Sequence, residues 1–268
     1  MDKNFRLGFI GVGNMGSAIV AGVLKNELLP PQNIVVTDID KQRVASLHEQ
    51  FGVIAADGID ELLGRVDAAL YAAKPQDVPK IFPLLSMSPN QWLISIAAGV
   101  KTGTLEEYLP ENTPVVRVMP SITASVGAGA AAICGGKHAT DEHIGITQEI
   151  FTSVGKAIVM EEKLLDAVTG LSGSGPAFVF LFIEALADAG VQVGLSRQDA
   201  TVLAIQTALG ASKMVEQTGE HPAILKNRVT SPGGTTAAGL YELESGGLRV
   251  AITNAVIAAT KRSAELAK

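Results

Sequence analysis

The sequence predicts an α/β domain over residues 1–160, built on a parallel sheet covered on both faces, followed by an all-helical domain over residues 161–268. Three observations carry this expectation. Short apolar runs alternate with helix-like segments as far as about Glu161, the pattern of strands joined by crossover helices. Beyond Glu161 no convincing strand pattern appears. The first apolar run also ends in a glycine-rich turn that opens a helix. With 268 residues, 47% hydrophobic and 18% charged, the chain can build two modest cores, and global disorder is excluded.

The strand-like runs are residues 5–10, 34–37, 53–55, 68–73, 92–97, 115–119, 129–134 and 157–160. Helix-like segments between them cover residues 14–26, 40–50, 76–85 and 141–153. In the second domain the helical segments are 164–171, 176–189, 196–217, 223–228, 236–245 and 248–267. Pro176 stands where a helix would begin, and Gly190, Gly219 and Gly246 stand where helices would end.

The charge balance of −6 gives no nucleic-acid footprint. A single cysteine, Cys134, allows no internal disulfide, so reducing, cytoplasmic surroundings fit best. The first residues are too short and too acidic for a signal peptide. The longest apolar run, 176–183, stops at Glu184 and falls short of a membrane span, so no membrane partner is expected.

The run 5–10 leads into Gly11-Val12-Gly13-Asn14-Met15-Gly16, a G-x-G-x-x-G turn between a strand and a helix. Gly11 permits the tight turn, Gly13 lets main chain approach a pyrophosphate, and Gly16 lets helix and strand pack closely. This marks the first domain as Rossmann-like and dinucleotide-binding. The second strand ends at Asp38, where a ribose-binding acid belongs. A carboxylate there accepts from both ribose hydroxyls and repels a 2′-phosphate, which favours NADH over NADPH. Lys41 and Arg43 follow a few residues later as compensating cations. The competing reading makes Asp38 a helix cap for the segment from Asp40.

Two segments of the second half go beyond packing: Leu171-Ser172-Gly173-Ser174-Gly175-Pro176-Ala177-Phe178, and Val229-Thr230-Ser231-Pro232-Gly233-Gly234-Thr235-Thr236. The latter is a glycine-containing loop opening a helix, either a compact anion site suited to a carboxylate or simply a well-capped helix start. No Ser-His-Asp set and no metal cluster is visible. His48, His138, His143 and His221 stand far apart and read as solvated surface residues. Cys134 reads as a core thiol. Lys74, at a strand end, reads as a chain turn beside the cofactor more readily than as a general acid.

These two segments, together with residues 8–16, Ala73-Lys74-Pro75-Gln76, Ser95-Ile96-Ala97-Ala98-Gly99 and Arg117-Val118-Met119-Pro120, resemble the pyrroline-5-carboxylate reductase family in order and without large gaps from about residue 5 to 266. The resemblance implies NADH- or NADPH-dependent reduction of Δ1-pyrroline-5-carboxylate to L-proline, the last step of proline synthesis. It implies a dinucleotide along Gly11 to Gly16, Asp38, Ala72, Ala73, Lys74, Pro75, Ala97, Ala98 and Gly99. It implies that Ser231, Gly233, Gly234, Thr235 and Thr236 hold the imino-acid carboxylate, with the Thr236 hydroxyl beside the ring nitrogen. It also implies homodimers through the helical domain, assembled further into rings. One stretch departs: Ser121-Ile122-Thr123 stands where the family continues Met-Pro with Asn-Thr-Pro, near the nicotinamide end of the site in relatives. That leaves two alternatives, a non-catalytic nucleotide-binding homologue and a reductase of a related cyclic imine. A 3-hydroxyacid dehydrogenase of similar architecture needs a lysine on the first long helix after the sheet, and residues 172–184 contain none.

The run Phe178-Val179-Phe180-Leu181-Phe182-Ile183 covers every direction around a helix, which must then be buried all round. Ala200, Ala204, Ala208 and Ala211 form a flat stripe for close helix approach. Both features predict an obligate dimer of interdigitated helical domains.

Overall fold

A computed structural model describes residues 2 and 4–266. Its strands are β1 (Leu7–Ile10), β2 (Ile34–Thr37), β3 (Ile54–Ala55), β4 (Ala68–Tyr71), β5 (Trp92–Ser95), β6 (Val115–Pro120), β7 (Gly129–Gly135) and β8 (Gly155–Val159). They form one sheet in the order β3-β2-β1-β4-β5-β6-β7-β8. β1 lies between β2 and β4, with Ile10 opposite both Thr37 and Tyr71. The chain therefore reverses its direction across the sheet at β1, and a crevice opens where the strands end.

The helices of this part are α1 (Asn14–Lys25), α2 (Lys41–Phe51), α3 (Ile59–Leu63), α4 (Val78–Ile81), α5 (Thr102–Glu106) and α6 (Asp141–Thr152). Alternation along the strands splits the core into two layers. Phe9, Val36, Leu70, Ile94 and Val116 pack with Ile19, Val23, Val44 and Phe151 on one face. Ile10, Val35, Tyr71, Leu93 and Val115 pack with Leu62, Val78, Phe82 and Leu105 on the other. Burying both faces explains why these strands read as continuous apolar runs.

Two expectations are corrected here. The sheet is not wholly parallel: β6 and β7 pair antiparallel, Arg117 opposite Cys134. Only a short 3₁₀ turn over Ile122–Val126 joins them, and a parallel return needs a longer crossover. Residues 76–85 are not one helix but a 3₁₀ turn (Pro75–Asp77), α4 and a second 3₁₀ turn (Phe82–Leu84). Proline at 75, 79 and 83 removes main-chain donors and breaks the regular ladder.

After β8 come α7 (Leu165–Val168), a π turn (Thr169–Gly173), α8 (Gly175–Gln192), α9 (Arg197–Thr218), α10 (Pro222–Arg228), α11 (Thr235–Ser245) and α12 (Leu248–Leu266). No strand occurs among the described residues of this half. Ala267, placed at the end of the last helix by the sequence reading, lies outside the described residues. The expected helix over 164–171 is the composite of a 3₁₀ turn, α7 and the π turn. Compact packing divides the chain between Ser174 and Gly175 and again between Ile257 and Ala258. Within the first unit, Ser263 on α12 donates to Asp166 on α7 at 2.7 Å.

In the second unit α8 packs on α9. Gly190 does not end α8; it faces Ala200, whose Cβ would crowd any side chain at 190. Ala200 and Ala204 are the buried residues of α9. Half of the alanine stripe is thus consumed inside one chain, a correction to its reading as an intermolecular surface. On α8, Val179, Phe180, Leu181 and Phe182 are 43–65% exposed in the single chain. The helical run Glu162–Gln192 is also long and apolar enough to cross a membrane by length and composition, which corrects the expectation that no stretch reaches that length. A helix covered by protein meets the same criterion.

A single chain with this much apolar helix exposed is expected to pair. Size-exclusion chromatography with light scattering should give a dimer or larger at micromolar and at nanomolar concentration. A stable, active monomer at nanomolar concentration would refute the burial of residues 178–183 by a partner.

Candidate functional site

The loops that follow β1, β2, β4 and β5 emerge at the same end of neighbouring parallel strands. They carry Gly11 to Gly16, Asp38, Ala72 to Pro75 and Ala97 to Gly99, so the fold brings together every residue proposed for the dinucleotide.

Main-chain contact shapes the first loop. Gly11 has φ +96°, and a Cβ there would strike the main chain of Ala72 and Ala73. A side chain at Gly16 would strike the carbonyl oxygen of Gly11. The loop is closed by Ser17, whose Oγ donates to the Val12 carbonyl at 2.8 Å, and by Ala72, whose N–H donates to the Ile10 carbonyl at 2.8 Å. Gly13 caps α1 without a side chain, Asn14 is exposed, and Met15 packs against the core. The first-turn N–H groups of α1 are thereby left to an anion. The bare Gly13 surface is bordered by the Arg43 guanidinium, 3.2 Å from where its Cβ would stand.

Asp38 does two structural jobs. Oδ2 accepts the Val12 N–H at 2.7 Å, and Oδ1 accepts the Asp40 N–H at 2.9 Å. The cap of α2 is Asp40, which accepts the Gln42 N–H at 3.1 Å, so the capping alternative raised for Asp38 falls to its neighbour. A carboxylate has further lone pairs, and half-exposed Asp38 can still receive a ribose hydroxyl. Of the two cations nearby, Arg43 is held by Asp40 at 3.1 Å and Lys41 donates to the Asp57 carbonyl at 2.6 Å.

The loop after β4 is fixed from behind. Tyr71, fully buried, donates its hydroxyl to the Lys74 carbonyl at 3.0 Å and stacks edge-on against Phe82 at 5.0 Å. Burial, then the Asp77 charge, pushes its phenol well above the usual value, so it remains a donor. Lys74 itself is exposed and Pro75 starts a 3₁₀ turn. After β5, the Ile96 N–H donates to the Tyr71 carbonyl at 3.1 Å, Ala97 is buried, Ala98 is exposed and Gly99 has φ +77°.

Behind that loop lies a cluster absent from the sequence reading. Glu162 Oε1 accepts the Thr102 N–H at 2.8 Å and the Arg117 Nη1 at 3.0 Å, while Oε2 accepts the Thr102 hydroxyl at 2.8 Å. Burial alone would raise the Glu162 carboxyl; the Thr102 and Arg117 donors outweigh it and hold it below the usual range. Nearby Cys134 is a buried free thiol pushed up to about 12, mainly by burial and then by Glu162, which suits a core role and no nucleophile. A charged residue inside the apolar strand 115–119 is the sequence signal that could have pointed to this cluster.

In the second unit, the segment 231–236 turns at Gly233, φ +66°, closes through the Gly234 N–H to the Ser231 carbonyl at 3.0 Å, and opens α11 from Gly234. Ser231 and Thr235 are exposed and Thr236 half-buried, so three hydroxyls and the helix-start N–H groups share one turn. The departing stretch is internally satisfied. Ser121 Oγ accepts the Ala130 N–H at 2.9 Å and contacts Thr123 Oγ1 at 2.8 Å, forming a compact turn without the family's asparagine. Among the histidines, His143 corrects the solvated reading: it is half-buried against Trp92 at 5.0 Å and accepts the Thr140 N–H. No metal-holding group of three His, Cys, Asp or Glu side chains occurs among the described residues.

Residues 162–266 match the family model described as pyrroline-5-carboxylate reductase dimerisation, and residues 6–99 match that described as NADP oxidoreductase coenzyme F420-dependent. A pyrroline-5-carboxylate reductase of Methanosarcina acetivorans is 45% identical over 99% of both chains. Among solved structures, a pyrroline-5-carboxylate reductase from Coxiella burnetii superposes with TM-score 0.93 at 34% identity over 99% of each chain. The pyrroline carboxylate reductase of Plasmodium falciparum with NADP bound gives 0.87 at 33% identity, again over 99% of each.

Replacing Tyr71 by Phe removes one buried donor while keeping the ring. Stability should fall by about 1 kcal/mol, the net worth of such a bond. Urea unfolding checks this; an unchanged midpoint would show that the Lys74 carbonyl needs no partner.

Proposed function

The chain belongs to the pyrroline-5-carboxylate reductase family, and from that premise we propose how its own residues reduce Δ1-pyrroline-5-carboxylate to L-proline with NAD(P)H. The observation that carries the reading is the glycine-walled crevice over β1 and β4, in a chain that also carries the serine-glycine-threonine turn opening α11.

The crevice fits a dinucleotide: side chains at Gly11 and Gly16 would fill the space that the turn needs, and the start of α1 presents free N–H groups. When bound, the nicotinamide supplies the hydride. The protein's task is orientation, because a protonated C=N carbon is already a good hydride acceptor. Ser231, Gly233, Gly234 and Thr235 hold the substrate carboxylate through main-chain N–H groups and hydroxyls at a helix start. The Thr236 hydroxyl positions the ring nitrogen and assists its protonation. Lys74, exposed with its carbonyl tied to Tyr71, shapes the loop beside the cofactor and is not the general acid in this scheme.

NADH is the preferred cofactor in this reading. Asp38 keeps a carboxylate at the ribose end, and its two candidate counter-cations are engaged by Asp40 and Asp57. The exposed apolar surface of α8 falls inside the residues matching the dimerisation model, which supports a homo-oligomer over a membrane anchor; rings of dimers extend the same proposal. Cytoplasmic residence is proposed on the single buried thiol.

Turnover with pyrroline-5-carboxylate and NADH is the direct test. Thr236→Val keeps shape and removes the hydroxyl; kcat/KM for the imine should fall roughly 10- to 1000-fold with nucleotide affinity unchanged, the scale of one lost transition-state contact plus misplacement. Full activity would remove Thr236 from the mechanism. Wild-type kcat/KM should be higher with NADH than with NADPH. Asp38→Ser should narrow that ratio and also weaken NADH, because the Val12 and Asp40 N–H groups lose their acceptor. A strong wild-type preference for NADPH would overturn the reading of Asp38.

A further inference from the structure

We propose that Glu162 is a positioning residue for the nucleotide, acting through Thr102 on the loop after β5. The inference rests on the reading that Ala97, Ala98 and Gly99 meet the dinucleotide.

The loop after β5 is tethered at its first residue by the Ile96 N–H to the Tyr71 carbonyl. Its far end runs into α5, five residues long, which is too short to be a rigid support by itself. That end is held by Glu162. One carboxylate takes both the N–H and the hydroxyl of Thr102, three residues beyond Gly99. Both bonds are charge-assisted and place the start of α5 in position and orientation together. Glu162 is in turn fixed by Arg117, whose side chain is 5% exposed. Arg117 sits on β6 opposite Ser95, the last residue of β5. The strand that launches the loop and the residue that ends it are therefore tied to the same guanidinium–carboxylate pair. Glu162 itself stands in the turn after β8, far along the sequence from the loop it holds. A fully exposed ion pair would do little here; in this one the Arg117 side chain is buried and the Glu162 side chain mostly so.

The consequence is specific. Loss of the Glu162 charge loosens Ala97 to Gly99, so it should weaken nucleotide binding and leave the imine-holding turn at 231–236 alone. Dissociation constants for NADH can be read by titrating its fluorescence against the intact enzyme. Glu162→Gln should raise that constant roughly 5- to 50-fold, the scale of a small misplacement of contacting groups. kcat at saturation in both substrates and KM for the imine should stay within about threefold. Thr102→Val should shift NADH in the same direction, and Thr102→Ser, which retains the hydroxyl, should restore it. Leu165→Ala, which opens the buried cluster beside Cys134, supplies a comparison lowering thermal stability without touching the carboxylate. If Glu162→Gln does not fold, the Thr102 pair decides alone. NADH constants within twofold of wild type in these variants, or an equal weakening in Leu165→Ala, would overturn the inference. A wild-type enzyme that binds NADH and turns over imine while the variants match it sinks the inference only. A wild-type enzyme without nucleotide binding sinks the functional reading and the inference with it.

Discussion

The structure turns on a contact between two stretches of bare main chain, Gly11 against Ala72 and Ala73. Strands β1 and β4 are neighbours in register, so their trailing loops meet with no room for a side chain between them. This contact aligns the start of α1 with the strand ends and leaves its unpaired N–H groups facing the crevice. Gly16 adds the second requirement, since only hydrogen at its α-carbon lets α1 pass under the Gly11 carbonyl. Everything proposed for the dinucleotide depends on these two approaches.

The loops around that contact are held by side-chain bonds to main-chain groups. Tyr71 fixes the Lys74 carbonyl from the core, Asp38 gathers the Val12 and Asp40 N–H groups, and Glu162 gathers Thr102. Asp38 is the instructive case. The same carboxylate that can accept a ribose hydroxyl also stiffens the glycine turn, so its contribution to specificity cannot be separated from its contribution to loop order. A substitution there changes the charge seen by the 2′ position and the shape of the pyrophosphate cradle at once.

Much of this was legible in the sequence because it follows from local rules. The glycine spacing, the strand preceding it and the position of Asp38 located the crevice; the serine-glycine-threonine loop was read as opening a helix, and it does open α11. What escaped was long-range or cumulative. Glu162 meets Thr102 sixty residues away, a pairing that no local pattern records. The antiparallel β6–β7 pair hung on the brevity of the Ile122–Val126 connection, which an assumption of regular alternation passed over. Three prolines four residues apart broke the helix expected at 76–85, although the apolar period alone supported it. The alanine stripe on α9 was visible, but only packing shows that Ala200 meets Gly190 of α8 in the same chain and that Ala204 is buried with it.

That last point sharpens the case for assembly. With α8 and α9 already using their small residues on each other, the exposed surface left over is the large one: Phe180 and Leu181 on α8, Val202 and Leu203 on α9. Burying such side chains stabilises by roughly 1.5–3 kcal/mol each, and leaving several exposed on one short helical unit forgoes that gain. A reaction that relies on orientation rather than on a strong acid gains from the same burial. Hydride transfer rate falls steeply with misplacement of the imine, and the turn proposed to hold it opens α11 in this helical unit. Assembly and catalysis therefore impose one requirement on the helical region: it must be stiff, and the chain alone does not bury enough apolar surface to make it so.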